Sequence, residues 1–247
     1  MNNLIKPRTA RARVGAVATV VLATIVFFAL VGAASHVVQA IAGEYGARGL
    51  HQQITMRLTG SAVGEFLSLL VLIVWLNRTG QSLSALGFGR RAPLRGWIAA
   101  AIVTAAVLFF FLSGPLRGRA ALAEPTFFHI YNSLLAGIAA GFCEEIFFRG
   151  FVMTRLDQAR VATWLQVVAS GLLFGVAHAG WGSLSGHADA RVLVASIVST
   201  AILGWIYALV YVISRRTLMP VIAAHVITDA VIEPWLALVA LGGFAGR

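Results

Sequence analysis

The chain has 247 residues and a net charge of +10; 59% of its residues are hydrophobic and only 11% are charged. Soluble domains are about 45–50% apolar and about 25% charged, so the composition excludes an ordinary soluble domain and indicates a polytopic membrane protein. Cytoplasmic loops of such proteins carry excess Lys and Arg, and no basic stretch has interleaved aromatics, so no nucleic-acid partner is expected. The single cysteine, Cys143, excludes an internal disulfide.

Seven apolar stretches follow one another along the chain, and most have the length of a membrane span. Their expected bounds are 14–41, 58–76, 96–112, 127 to just past the Glu144–Glu145 pair, 162–179, 192–213 and 218 to at least 232. Pro234 is expected to interrupt or kink the last helix, because proline lacks the N–H that a helix interior needs. Residues 235–244 are then expected either to finish that span or to form a short eighth segment. The sequence therefore predicts an all-α transmembrane bundle of seven or eight helices. We divide its single membrane domain into residues 1–83, with the N-terminal tail and two helices, and residues 84–247.

The distribution of Lys and Arg predicts the orientation in the bilayer. With the N-terminus inside and seven spans, 13 of these residues fall on the cytoplasmic side and 6 on the other. Positive residues favour the cytoplasmic side. We therefore expect a multi-pass protein of the cell membrane with a cytoplasmic N-terminus.

Two adjacent carboxylates near the end of the fourth span stand out. Ionisable groups inside a membrane cost roughly 2.5–3.5 kcal/mol each and are usually paired or face a cavity. Glu145 and Arg149 are spaced i, i+4, the favourable order for a charge pair on one helix face. Neighbours on a helix point about 100° apart, so Glu144 is expected to stay free of that pair and to face another direction.

Two further segments place polar groups at the depth of Glu144. A helical hairpin that turns near residues 158–162 brings His178 level with Glu144. His225 lies 9 residues beyond Arg216 in the last span, about 14 Å deep, against about 16 Å for Glu144 below its cytoplasmic end. Asp229 follows His225 by one turn. The three segments together predict a polar cavity within the membrane.

These side chains support two chemistries. In one, Glu144 and His178 deprotonate a water that attacks a carbonyl, while His225 and Asp229 serve the developing oxyanion. In the other, Glu144, His178 and His225 bind zinc with an open position for water. The local zinc-protease stretch His-Glu-x-x-His is absent. We expect no cofactor, with Zn²⁺ as the alternative.

Three features outside the motifs carry their own expectations. Glu65, in the second span, is expected to face outward near a helix end, with a position on the wall of the same cavity as the alternative. Cys143 is expected to be a buried small apolar residue rather than a nucleophile. The Gly-rich loop 180–189 is a candidate gate, because irregular backbone near membrane depth is tolerated where it lines a cavity.

The chain resembles the intramembrane CAAX-protease and bacteriocin-processing family, which includes the type II CAAX prenyl endopeptidases. The family pattern is Glu-Glu-x-x-x-Arg, then Phe-x-x-x-His, then His-x-x-x-Asn or Asp. This sequence matches it at seven positions, in order and on three apolar spans: Glu144, Glu145, Arg149, Phe174, His178, His225 and Asp229. The resemblance extends over roughly residues 84–235, with Leu86-Gly87-Phe88 similar to a weaker upstream feature.

The resemblance implies peptide-bond hydrolysis in or near the membrane, with Glu144 and His178 activating water and His225 and Asp229 serving the oxyanion. It also implies a glutamate-dependent mechanism in a family formerly classed as metalloproteases. Eukaryotic prenyl proteases resemble the pattern with Asn at the last position, whereas an ionised Asp229 accepts hydrogen bonds and does not donate them. The expected partners are the lipid bilayer and a membrane-associated peptide or protein substrate, with a CAAX-type substrate as one option. A transporter or a non-catalytic scaffold that uses the same buried groups is the alternative function.

Overall fold

The computed structural model describes residues 10–44, 49–117, 127–179 and 190–241. The described residues form helices joined by turns and contain no strand. The α-helices are α1 (Ala10–Glu44), α2 (Leu50–Arg78), α3 (Leu94–Ser113), α4 (Phe127–Ile138), α5 (Met153–Gln158), α6 (Thr163–Ala177), α7 (Ala190–Ile213) and α8 (Met219–Leu241). A 3₁₀ helix covers Leu83–Leu86, and a π-helix, Ala139–Val152, joins α4 to α5.

The predicted all-helical membrane bundle is confirmed, but the count of seven or eight spans is not established. Within the described ranges, five helices are long and apolar enough to cross a membrane: α1, α2, α3, α7 and α8. The expected fifth span, α6, is apolar but has 15 residues. The expected fourth span is a continuous helical segment in which α4, the π-helix and α5 follow one another directly.

The last helix is not interrupted at Pro234, which was one of the two outcomes expected there. Helix α8 continues through Pro234 to Leu241. Proline is tolerated inside membrane helices because neighbouring helices and local adjustments satisfy the backbone groups that it frees. Residues 235–241 therefore complete α8 and do not form a separate segment.

The π-helix occupies the centre of the bundle. Nearly all of its residues are buried, and it contacts α2, α6 and α8. The Phe27 ring of α1 stacks on Phe147 at 4.6 Å between centroids, and the Trp75 ring of α2 meets Phe151 edge-on at 5.4 Å. Aromatic side chains of α1 and α2 thus pack against the π-helix that carries Glu144 and Glu145.

Close backbone approach at glycines joins the first two helices. A Cβ placed on Gly64 would lie 2.4 Å from Val31 Cα, and one on Gly60 would lie 2.6 Å from Ser35 Cα. Only hydrogen fits at these positions. The spacing is the small-x-x-x-small arrangement by which membrane helices pack through direct backbone contact.

The 3₁₀ segment is fixed to the turn between α7 and α8. Tyr211 donates its hydroxyl to the Leu86 carbonyl (3.1 Å), and the Leu218 amide donates to the Gly87 carbonyl (3.2 Å). Gly87 has φ of +94°, and a Cβ there would lie 2.1 Å from the Arg216 carbonyl oxygen. The Leu86-Gly87 stretch therefore holds the loop between α2 and α3 against the end of α7 and the turn that leads into α8.

Candidate active site

The predicted hairpin brings Glu144 and His178 to one cavity. Helix α5 ends at Gln158 and α6 begins at Thr163, so the turn falls within the expected range. Gln166 closes it by donating to the Val161 carbonyl at 2.7 Å. His178 lies directly after the last residue of α6.

The cavity has a volume of about 660 Å³ and is mostly apolar, with walls from α2, α3, α4, the π-helix, α6, α7 and α8. Its ionisable residues converge from four of these elements. They are Glu65 from α2, Glu144 from the π-helix, His178 after α6, and His225, Asp229 and Glu233 from α8. The three sequence motifs thus meet in one place, as their estimated depths predicted.

Two glycines bring the acidic pair against the histidine helix. A Cβ on Gly141 would lie 2.6 Å from Val226 N, and one on Gly137 would lie 2.9 Å from the Val226 carbonyl oxygen. Because no side chain separates the two backbones, the glutamates that follow Gly141 reach His225, the residue before Val226. The sequence carries this signal as a small-x-x-x-small pair, which motif reasoning alone did not use.

Glu145 and Arg149 form the ion pair that their spacing predicts. Arg149 Nη1 donates to Glu145 Oε1 at 2.7 Å, and both side chains are 0% exposed. Arg149 also donates through Nη2 to the Gly204 carbonyl at 3.0 Å. Its guanidinium lies 4.5 Å from the centre of the Phe174 ring, a cation–π distance. Phe174 of the second motif therefore supports the arginine of the first.

His225 lies between three carboxylates. Its Nδ1 is 2.8 Å from Glu145 Oε1, and its Nε2 is 3.0 Å from Asp229 Oδ2 and 3.9 Å from Glu144 Oε2. The expectation that Glu145 serves Arg149 alone, with Glu144 facing elsewhere, is therefore too narrow. Both glutamates approach the same imidazole from opposite ring nitrogens, and the acidic pair works as a unit around His225.

His178 is oriented by its own helix. Its Nδ1 lies 2.8 Å from the Phe174 carbonyl, which can only accept, so Nδ1 carries the hydrogen. Ser196 of α7 holds the backbone in place by donating to the His178 carbonyl at 3.1 Å. In the neutral ring, Nε2 is then the acceptor. Glu144 lines the same cavity as His178, and its Oε2 is buried without a hydrogen-bond partner among the described residues.

The donor set does not fit the zinc alternative. Both ring nitrogens of His225 face carboxylates at 2.8 and 3.0 Å, so neither is presented to a metal shared with Glu144 and His178. Within the described ranges, no group of three or more His, Cys, Asp or Glu side chains is arranged to hold a metal ion. The side chains are instead arranged to bind one another.

Two acidic residues at the cavity were not assigned to it from the sequence. The expectation that Glu65 faces outward is wrong: Glu65 is 7% exposed and lines the cavity. Glu233 was not identified, although it continues the i, i+4 series of His225 and Asp229 by one more turn. Extending that series would have found it, whereas the orientation of Glu65 depends on how α2 packs.

The other expectations about this region have mixed outcomes. Cys143 is buried, as expected of a small apolar residue. The candidate gate at residues 180–189 lies outside the described residues.

Comparison with known proteins gives one match. The family model of Rce1-like type II CAAX prenyl endopeptidases matches residues 125–231. Searches of curated proteins and of solved structures found no significant match. The matched segment contains all three sequence motifs. It also contains the ionisable residues that line the cavity, except Glu65 and Glu233. The resemblance indicated by the motifs is thus confirmed, and residues 125–231 are similar to the Rce1-like type II CAAX prenyl endopeptidases, a family of membrane proteases.

Proposed function

We propose that this protein is an intramembrane glutamic endopeptidase that hydrolyses a peptide bond with a water activated by Glu144 and His178. The observation that carries the proposal is that one cavity is lined both by Glu144, whose Oε2 is buried without a hydrogen-bond partner among the described residues, and by His178, whose Nε2 is an acceptor. A carboxylate and an imidazole acceptor are the groups that hold and deprotonate water. The family similarity supports the same reaction class.

His225 supplies the positive end of the site in this proposal. Carboxylates accept hydrogen bonds, so contacts on both ring nitrogens favour an imidazole with hydrogens on both. Asp229 and Glu145 hold the ring, and the Nε2–H is shared with the carbonyl oxygen of the substrate as that oxygen becomes negative. A preorganised donor of this kind typically contributes 10²–10³-fold to the rate, or about 2.7–4 kcal/mol.

The reaction then balances without another reactant. Glu144 takes one proton from water as the oxygen attacks the peptide carbonyl, and the oxyanion forms beside His225. When the tetrahedral intermediate breaks down, the C–N bond cleaves and the leaving amine receives the proton from Glu144. The products are a carboxylic acid and an amine, which ionise to a carboxylate and an ammonium group.

The substrate is a peptide segment of a membrane-associated protein, with a CAAX-type C-terminus as the candidate that the family similarity favours. The protein resides in the cell membrane with its N-terminus in the cytoplasm. The excess of Lys and Arg on that side supports the orientation.

The test is peptide cleavage by the purified full-length protein reconstituted in lipid. Glu144→Gln and His178→Ala are each expected to reduce kcat at least about 100-fold, with thermal unfolding close to that of the wild type. Asp157→Asn is the matched control, because it removes a carboxylate that bonds Arg216 outside the cavity. Wild-type rates in Glu144→Gln would reject the proposal. Ion flux that depends on pH or potential, without cleavage, would favour a transporter.

A further inference from the structure

The site contains more Asp and Glu side chains than the proposed reaction requires. Five of the nine Asp and Glu residues of the chain lie at this site: Glu65, Glu144 and Glu145 are buried, and Asp229 and Glu233 are partly buried. Glu145 pairs with Arg149, Asp229 bonds His225, and Glu144 is assigned to water. Glu65 and Glu233 remain, in a protein whose overall charge is +10.

The two remaining carboxylates have no counter-charge of their own. Glu65 is 7% exposed, and its Oε2 has no hydrogen-bond partner in the described part of the chain; the same is true of Glu233 Oε2. Both residues line the same cavity. None of the described residues that line the cavity is Lys or Arg. A buried carboxylate without a partner is costly, and a cation placed beside it restores the lost interaction.

We propose that Glu65 and Glu233 form a subsite that binds an organic cation of the substrate peptide, a lysine or arginine side chain or a free N-terminal amine. This inference rests on the proposed function, since it assigns a specificity to the same cavity. The mostly apolar wall surrounds the acidic pair, so the occupant combines a positive group with apolar neighbours. The positive group is best supplied by a nitrogen cation, because its N–H groups can donate hydrogen bonds to both carboxylates. The apolar neighbours are the adjoining side chains of the peptide.

The geometry sets how far the cation lies from the reacting bond. Glu233 is 8 residues after His225 on α8, which is about 12 Å along the helix axis. An extended peptide covers about 3.3 Å per residue. The basic group is therefore expected within about four residues of the cleaved bond.

Binding, measured apart from cleavage, tests this subsite. The protein is the full-length Glu144→Gln variant in lipid nanodiscs, and the probes are fluorescent apolar peptides with one lysine moved through four positions on each side of the centre. Each lysine peptide has a norleucine twin, and each exists with a free or an acetylated N-terminus. At least one cationic peptide is expected to bind about 10-fold more tightly than its neutral twin, a difference of about 1.4 kcal/mol.

Variants connect that preference to the two residues. Adding Glu65→Gln, or separately Glu233→Gln, is expected to reduce the preference below about 3-fold while the neutral peptide binds as before; Asp157→Asn is expected to keep it. Preference for lysine identifies a side-chain occupant, and preference for the free N-terminus identifies an α-amine; both support the subsite. Equal binding of the twins, no binding of any probe, or a preference unchanged in both variants overturns it. A retained preference together with a wild-type protein that cleaves nothing would reject the proposed function and leave the subsite standing.

Discussion

A single oxygen of Glu145 joins the arginine and the histidine of the site. Glu145 Oε1 lies 2.7 Å from Arg149 Nη1 and 2.8 Å from His225 Nδ1. The arginine is held in turn by the Gly204 carbonyl and the Phe174 ring. The orientation of His225 therefore depends on contacts that run through Glu145 and Arg149 to the backbone of α7. A substitution of Arg149 should reduce both the stability and the activity of the protein.

Replacing Arg149 with alanine should be strongly destabilising. It removes the guanidinium from a fully buried pair and leaves His225 as the remaining contact of Glu145 Oε1. Removal of one member of a buried ion pair costs about 3–5 kcal/mol. Thermal or denaturant unfolding in detergent measures the loss. The control is Arg216→Ala, which breaks a more exposed pair with Asp157 and is expected to cost less than about 1 kcal/mol. Equal losses in the two variants would contradict the structural role of the buried pair.

The close packing of α6 against α7 should make Gly175 intolerant of a side chain. A Cβ there would lie 2.5 Å from the Ile197 carbonyl oxygen, so Gly175→Ala must push the helices apart, at a cost of about 1–3 kcal/mol. Gly32 of α1 has open space around its Cβ direction. Gly32→Ala is therefore the control, and its unfolding midpoint is expected to equal or exceed that of the wild type. A wild-type midpoint for Gly175→Ala would show that the helices adjust freely.

Much of this arrangement could be predicted from spacing and depth. The hairpin turn, the Glu145–Arg149 pair and the meeting of three motifs all follow from helix geometry applied to apolar stretches. The shared contact of both glutamates with His225 could not be predicted in this way, because an ideal α-helix points the two apart and the segment is instead a π-helix. Glu65 was misplaced because its direction is set by the α1–α2 contact through Gly60 and Gly64. Such packing joins residues that are distant in sequence.

Chelators should leave the proposed activity unchanged. Both nitrogens of His225 face carboxylates, and the described residues offer no three-ligand group. The proposed mechanism accordingly assigns activation of the water to Glu144 and His178. Prolonged incubation with 1,10-phenanthroline or EDTA is expected to alter the cleavage rate less than about two-fold, whereas a zinc protease loses its catalytic ion and its activated water. A zinc endopeptidase treated in parallel shows that the chelator is effective. Loss of activity that added zinc restores would establish the metal mechanism instead.

Asp229 can have one of two roles: it can hold His225 in position, or it can donate a hydrogen bond to the oxyanion. Variants of Asp229 distinguish the two roles. Its Oδ2 lies 3.0 Å from His225 Nε2, and an ionised carboxylate only accepts. Asp229→Asn keeps an acceptor through its amide oxygen but removes the charge. A hydrogen bond to a charged group contributes about 1.5–3 kcal/mol, so Asp229→Ala is expected to lower kcat about 10–100-fold and Asp229→Asn to lie between alanine and the wild type. The measurement is kcat and KM for one cleaved peptide, with unfolding midpoints checked for each variant. If Asp229→Asn equals or exceeds the wild-type rate while Asp229→Ala is impaired, the side chain acts as a donor to the oxyanion and its assignment as the support of His225 fails.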